Sequence, residues 1–188
     1  MKRFVLWTAL CAVILKGADV RRPAPEFAVQ MMDGTEMRVS EQRGKVLCLM
    51  FILTTCPHCQ KLVGTMSKLQ LELGPRGLVT IAGSVQDMPK LFVPDFIRDF
   101  KPPFPVGGAD RNLAMQFMQH DAKYIFYSPS LTLIDRKGVI RAQFPGGDEI
   151  FNGDQEANLR AKIEPLIKEG AAGGVSPPTA PKPASKGK

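Results

Sequence analysis

Two cysteines separated by a proline and a histidine, Cys56-Pro57-His58-Cys59, are the residues of this sequence best suited to chemistry. They follow an apolar run and open a stretch with helical spacing, so Cys56 is predicted to lie at a helix N-terminus. Unpaired backbone N–H groups and the helix dipole favour a thiolate there, and the thiolate is the form that attacks a disulfide. Pro57 suits a first helical turn because it has no N–H to leave unpaired. The three-residue spacing brings the Cys59 sulfur back beside the first one.

Dithiol–disulfide exchange is the chemistry that this pair favours, with Cys56 forming a mixed disulfide and Cys59 resolving it. A protonated His58 would add a cation near the Cys56 sulfur and stabilise its thiolate further. A zinc site needs four well-spaced ligands, and the body of the chain adds only Cys48 and His120 to this group. A purely structural disulfide would gain little stability from closing so short a loop.

The elements that must hold the cysteines can be predicted from hydrophobic periodicity. Residues 46–53 form an unbroken apolar run, typical of a central strand buried on both faces, and 59–73 have helical spacing up to Gly74-Pro75. The other predicted elements are a hairpin within 24–40, a strand over 78–82, helices over 94–100, 110–119 and 154–169, and a hairpin joining 130–135 to 139–144. This order predicts an α/β fold with a mixed sheet and helices on both faces.

Composition predicts one folded domain between two distinct ends. The chain has 188 residues and a net charge of +7, but residues 1–18 and 171–188 carry six of its 25 basic residues and no acid. The remainder is nearly neutral, which argues against nucleic-acid binding. Residues 1–20 resemble an export signal, with an uncleaved N-terminal anchor as the alternative, and 21–170 are the predicted domain. The Pro-, Ala- and Lys-rich residues 171–188 are predicted to be a disordered tail.

The chain resembles the thioredoxin superfamily, and within it the TlpA/ResA-like thiol–disulfide oxidoreductases of the bacterial cell envelope. The stretches that carry this resemblance are Ala24-Pro25-Glu26-Phe27, Asp33-Gly34, Arg43-Gly44-Lys45, the Cys pair, and the segment 128–135 with Lys137-Gly138. The resemblance implies a thioredoxin-like fold with an N-terminal β-hairpin. It also implies a cis Ser128–Pro129 bond that faces the cysteines, with the Ser128 backbone available to an extended substrate chain. The alternative is an ordinary trans proline before an edge strand.

Three positions depart from that family or leave its pattern open. Thr55 stands where the family commonly has a tryptophan, and Met50 stands where thioredoxin has a buried aspartate, so that proton relay is absent. Asp87 aligns with a glutamate that lies near the active site in ResA-like members. Two interpretations of Asp87 stay open: it assists deprotonation of Cys59, or it is only a turn residue.

Two other functions compete with disulfide exchange. A peroxiredoxin-type peroxidase would need proline and threonine or serine at positions 49 and 53, where this chain has leucine. A copper-handling module would use the thiolates as soft ligands, although such proteins space their cysteines one residue wider. We expect no cofactor and no metal, a monomer, client proteins with cysteine thiols or disulfides, and an upstream redox partner. Membrane contact would be limited to an uncleaved N-terminus.

The direction of exchange is the remaining question. The helix N-terminus and His58 favour the thiolate, which predicts a reduction potential above the value of about −270 mV for thioredoxin and nearer to about −200 mV. The family resemblance points instead to a reductant for cytochrome c maturation or similar clients.

Overall fold

A computed structural model describes residues 21–171 of the chain. In this range the strands are β1 (Arg22–Pro23), β2 (Ala28–Gln30), β3 (Glu36–Arg38), β4 (Val46–Ile52), β5 (Leu78–Ser84), β6 (Val106–Gly108), β7 (Ser130–Ile134) and β8 (Val139–Phe144). The α-helices are α1 (Pro57–Leu73), α2 (Pro89–Phe100), α3 (Arg111–Phe117) and α4 (Gln155–Ala171). Short 3₁₀ turns connect several of them.

The strands form one mixed sheet in the order β1-β8-β7-β4-β5-β6-β2-β3. At its centre, β4 pairs in parallel with β5 and antiparallel with β7, and every residue of β4 is buried. The continuous apolar run therefore forms the doubly covered strand that it predicted. Because β4 and β5 are parallel, their C-terminal ends lie side by side at one edge of the sheet, where α1 begins.

Helices cover both faces of the sheet, as expected from the order of elements. Side chains of α1, α2 and α4 share one apolar cluster with alternate residues of β4. On the opposite face, α3 packs against the other residues of β4, with Phe51 and Phe117 edge-to-face at 6.1 Å between ring centroids. Side chains packed on both faces of the sheet hold β4 in place, and β4 in turn positions the start of α1.

The predicted hairpins are confirmed, and the other elements differ mainly at their boundaries. β2 pairs with β3, and β7 pairs with β8, each antiparallel. Helix α2 begins at Pro89 and accommodates Pro94 in its interior on an exposed face, whereas the sequence predicted a start at Pro94. Strand β6 was not predicted because its two glycines carry no hydrophobic alternation, yet it pairs in parallel with β5.

The predictions for the two ends of the chain concern residues that lie mostly outside the described range. The predicted export signal, residues 1–20, and residues 172–188 of the predicted tail lie outside the described residues. Within 21–171, no helix combines the length and apolar character needed to cross a membrane.

Candidate active site

Cys56 caps the N-terminus of α1, as the spacing predicted. Its backbone is extended, with φ −84° and ψ 119°, and its sulfur accepts the N–H of Cys59 at 3.4 Å. Pro57 occupies the first turn, and the Cys56 N–H donates to the carbonyl of Leu53 at 3.2 Å. Cys56 is half-buried, so its sulfur receives a helix N–H while it stays accessible to a reacting partner. This geometry suits a nucleophilic thiolate.

Cys59 lies directly inside Cys56, with no exposed surface. Burial raises the pKa of its thiol above the ordinary value because the apolar surroundings disfavour the thiolate, and the N–H of Leu53, 3.4 Å from the sulfur, partly opposes that effect. Met50 is fully buried in the same apolar cluster. Within these apolar surroundings, the Leu53 N–H donates a hydrogen bond to the Cys59 sulfur.

The segment that carries the predicted cis-proline faces the outer cysteine. The Ser128–Pro129 bond is cis, and the Cys56 thiol donates to the Ser128 carbonyl with 3.8 Å between sulfur and oxygen. The expected cis bond is confirmed, and the alternative of a trans proline is wrong. Ser128 is half-buried and Pro129 is buried, so the backbone at residue 128 forms one wall beside the Cys56 sulfur.

Two glutamines hold the turn between β4 and Cys56. The side-chain oxygen of Gln86 accepts both the backbone N–H of Thr54, at 2.8 Å, and its hydroxyl, at 2.7 Å. The side-chain amide of Gln60 donates to the Thr54 carbonyl at 2.9 Å. Sequence reasoning missed both glutamines. The available signal was that Gln86 follows β5, which a parallel sheet places next to the end of β4.

The other predicted site residues lie around the pair without being buried in it. His58 and Thr55 are exposed at the start of α1 and just before it. Asp87 is exposed in the turn between β5 and α2, one residue beyond Gln86. The catalytic roles assigned to His58 and Asp87, and to the cysteines themselves, remain predictions.

A shallow cleft of about 190 Å³ opens beside the turn that precedes Cys56. Its lining residues are Thr54, Thr55, Gln60, Phe92, Asp95, Phe96, Asp99 and Phe100. A larger cleft of about 340 Å³ lies between β2 and α3. Neither cleft has a cysteine in its wall, but the smaller one is lined by Thr54 and Thr55, which directly precede Cys56, so we place the chemistry beside it. On the other side of Cys56, the segment before Ser128 exposes three large apolar side chains, Tyr124, Ile125 and Tyr127.

Cys48 and His120 lie away from the pair. Cys48 is fully buried in β4, and burial raises the pKa of its thiol, in agreement with an inert core residue. His120 is partly buried rather than fully solvated, since its ring nitrogen lies 3.2 Å from the Tyr124 carbonyl and its ring packs edge-on against Phe126. Among residues 21–171, no three His, Cys, Asp or Glu side chains lie close enough together to hold a metal ion.

A thiol pair at the start of a helix, behind a central strand and facing a cis-proline, defines a thiol–disulfide oxidoreductase of the thioredoxin superfamily. The model of the AhpC/TSA family matches residues 20–143, and the chain belongs to that family.

Relatives and solved structures agree with this class. The thiol-disulfide oxidoreductase ResA of Geobacillus thermodenitrificans is 30% identical over 123 residues, which span 65% of this chain and 67% of that protein. A thiol:disulfide interchange protein of Chlorobium tepidum has the same fold, with a TM-score of 0.65 and 21% identity over 78% of this chain and 97% of its own. A secreted thiol-disulfide isomerase of Corynebacterium glutamicum also shares the fold, with a TM-score of 0.65 and 17% identity over 79% of this chain and 87% of its own. The expected ResA-like resemblance and thioredoxin-like fold are confirmed.

Proposed function

We propose that this protein is an exported thiol–disulfide oxidoreductase that exchanges the Cys56/Cys59 pair with cysteines of client proteins through a mixed disulfide. The observation that carries the proposal is the position of the Cys56 sulfur. It receives the N–H of Cys59 at 3.4 Å, lies beside the Ser128 carbonyl, and is accessible while Cys59 is not.

In the reducing direction, the Cys56 thiolate attacks one sulfur of a client disulfide, and the other client sulfur leaves as a thiolate. Cys59 then loses its proton and attacks the Cys56 sulfur, which releases the second client thiolate and forms the Cys56–Cys59 disulfide. Two electrons pass to the client, and an upstream dithiol must return them. In the oxidising direction the same steps run backwards from the Cys56–Cys59 disulfide.

The client segment would bind beside Ser128, on the wall that faces Cys56. An extended chain can pair with the backbone at residue 128, as in strand addition. The exposed side chains of Tyr124, Ile125 and Tyr127 on one side, and the aromatic cleft of α2 on the other, offer apolar contacts. We therefore expect clients whose cysteine lies in an unfolded or extended apolar segment.

Export is supported by residues 1–20, in which two cations precede a 12-residue uncharged run. A disulfide chemistry also suits an oxidising compartment, where client cysteines form disulfides. One protein of the same fold is described as secreted.

Peroxidase chemistry, the second enzyme alternative, lacks its motif at this site. Positions 49 and 53 are leucines, and Leu49 is fully buried in β4, so neither offers a hydroxyl to a peroxide. Dithiol exchange needs only the two sulfurs and the backbone groups that the structure places around them.

Trapping in cells tests the proposal. In the full-length Cys59→Ser variant, Cys56 can form a mixed disulfide that no second thiol resolves, so acid-quenched cells should yield covalent complexes on non-reducing gels, in the extracytoplasmic fraction. Cys56→Ser is the matched control and should give no complexes and no insulin reduction. Full turnover by Cys59→Ser would contradict the resolving role of Cys59. Absence of complexes would contradict exchange and leave copper handling as the alternative, and complexes confined to the cytoplasm would contradict export.

A further inference from the structure

We propose that Gln60 and Gln86 are positioning residues that align the Cys56 sulfur with a bound client chain, and the inference rests on the proposed function. Together they hold the two peptides that lead from β4 into α1. Neither glutamine would take part in the exchange itself, and each would act through the backbone that carries the reacting thiol.

Gln86 acts on the peptide between Leu53 and Thr54. Its side-chain oxygen accepts the N–H of that peptide at 2.8 Å, and the carbonyl of the same peptide accepts the N–H of Cys56 at 3.2 Å. Because a peptide is planar and rigid, a bond that fixes its N–H also fixes the direction of its carbonyl. Gln86 therefore orients the acceptor of the Cys56 N–H. The Thr54 hydroxyl, 2.7 Å from the same Gln86 oxygen, adds a second bond.

Gln60 acts on the next peptide and on Cys56 itself. Its side-chain amide donates to the carbonyl of Thr54 at 2.9 Å, and its backbone N–H donates to the carbonyl of Cys56 at 3.0 Å. Thr54 is 5% exposed, so water cannot readily replace the bonds that the two glutamines make with it. The turn is therefore held from α1 by Gln60 and from the segment after β5 by Gln86.

The position of Cys56 matters because its sulfur lies between two backbone groups. It accepts the N–H of Cys59 at 3.4 Å and lies 3.8 Å from the Ser128 carbonyl. Under the proposed function a client chain binds along Ser128, so the sulfur must point at a disulfide held on that wall. A displacement of about 1 Å is enough to slow such an aligned reaction severalfold. A small disulfide that tumbles freely meets the sulfur in many orientations and is much less sensitive to its position.

Two disulfides, compared on one variant background, separate the alignment of Cys56 from its ionisation. Of the four cysteines, full-length Cys11→Ser/Cys59→Ser keeps Cys56 and the fully buried Cys48, so Cys56 is the thiol that reacts. Its thiolate attacks one sulfur of a disulfide, a new bond to the Cys56 sulfur forms, and the other sulfur leaves as a thiolate. Insulin is the protein probe and bis(2-hydroxyethyl) disulfide is the small one. Acid quenching and mass spectrometry give both initial rates, and their ratio reports alignment because both reactions use the same thiolate.

Gln86→Met keeps a side chain of similar length but removes the acceptor oxygen. We expect it to lower the rate with insulin by about fivefold and the rate with the small disulfide by less than about twofold. Gln60→Met should have the same effect. Thr54→Val removes only the hydroxyl bond and should lower the insulin rate by about twofold, whereas Thr54→Ser keeps the hydroxyl and should retain the parent rate. Gln70→Met is the matched control, because it removes a bond from the far end of α1 to the Leu78 carbonyl and should leave the ratio unchanged.

The outcomes separate this inference from the proposed function. Failure of the parent variant to form any mixed disulfide with insulin would contradict the function itself. Mixed disulfides in the parent, with an unchanged ratio of rates in Gln86→Met and Gln60→Met, would overturn the positioning role alone. That includes an equal fall of both rates, which would indicate a change in ionisation or a general loss of structure. An equal fall of the ratio in Gln70→Met would show that any lost bond of α1 has this effect, and would overturn the role too.

Discussion

The two cysteines of the pair belong to different regions of the molecule although they are three residues apart. Cys56 is half-buried at the edge of the apolar core, and its sulfur contacts two backbone groups, the Cys59 N–H and the Ser128 carbonyl. Cys59 lies in the apolar core with Met50, with one N–H, that of Leu53, at its sulfur. The first turn of α1 thus leads from the half-buried Cys56 to the fully buried Cys59.

Under the proposed function, this difference divides the two steps of exchange between the cysteines. The outer sulfur can meet a client, because it is half-buried and faces the wall at Ser128. The inner sulfur has no exposed surface, and burial raises the pKa of its thiol and so favours the protonated form. In the proposed mechanism, this shielding would keep Cys59 from forming mixed disulfides of its own.

The largest effect that tests this contrast is a difference in alkylation rate. At neutral pH, reduced folded protein should react with iodoacetamide at Cys56 at least about tenfold faster than at Cys59, since the reactive thiolate fraction falls tenfold for each unit by which a thiol pKa is raised. The tryptic peptide 46–61 carries both cysteines and Cys48, and fragment ions locate the label by mass spectrometry.

Unfolding the protein in guanidinium is the control for that comparison, because the three cysteines of peptide 46–61 should then react at similar rates. Equal labelling of Cys56 and Cys59 in the folded protein would mean that the inner thiol is neither shielded nor held protonated, and the division of roles would fail.

A smaller effect is expected in the dependence of stability on pH. Since the pKa of Cys59 is raised in the folded state, its contribution to stability is complete below the unfolded-state pKa of about 8.5 and is lost as pH rises above it. Between pH 9 and 10, the unfolding free energy of reduced wild type should fall by about 1.2 kcal/mol more than that of Cys59→Ser. Urea denaturation with a reductant present measures both.

The comparison with Cys59→Ser needs no further control for Cys48, because Cys48 contributes the same pH dependence of stability to both proteins. Parallel pH dependences of the two proteins would show that Cys59 ionises as readily in the folded chain as in the unfolded one.

Much of this site could be predicted from sequence because local rules determine it. The apolar run of β4, the helical spacing of α1 and the Pro57 signal together placed Cys56 at the helix start, and the structure has it there as the N-cap. The cis bond before Pro129 was expected only through the family resemblance, since local propensity does not distinguish it from a trans bond.

The part that sequence did not predict depends on contacts across the sheet. Asp87 was selected by alignment, but the structure directs its neighbour Gln86 to the turn before Cys56, because the last residues of β5 leave the sheet beside Thr54. The choice between adjacent residues depends on which side chain points inward at the end of a strand, and the short, glycine-rich β6 that supports that end gave no periodic signal.

The smallest expected effect concerns His58 and tests what stabilises the thiolate of Cys56, the outer of the two cysteines. If the imidazole stabilises the Cys56 thiolate, the reduced form is favoured and the potential lies above the value of about −270 mV for thioredoxin, nearer to about −200 mV. His58 is exposed, so solvent screens its charge, and His58→Ala should lower the potential by less than about 30 mV, which corresponds to tenfold in the exchange equilibrium. Titration against glutathione measures it, and Lys61→Ala, which removes an exposed cation farther along α1, should change it less. A wild-type potential below that of thioredoxin would refute the argument from His58 and favour a reductant, because a stabilised Cys56 thiolate raises the potential.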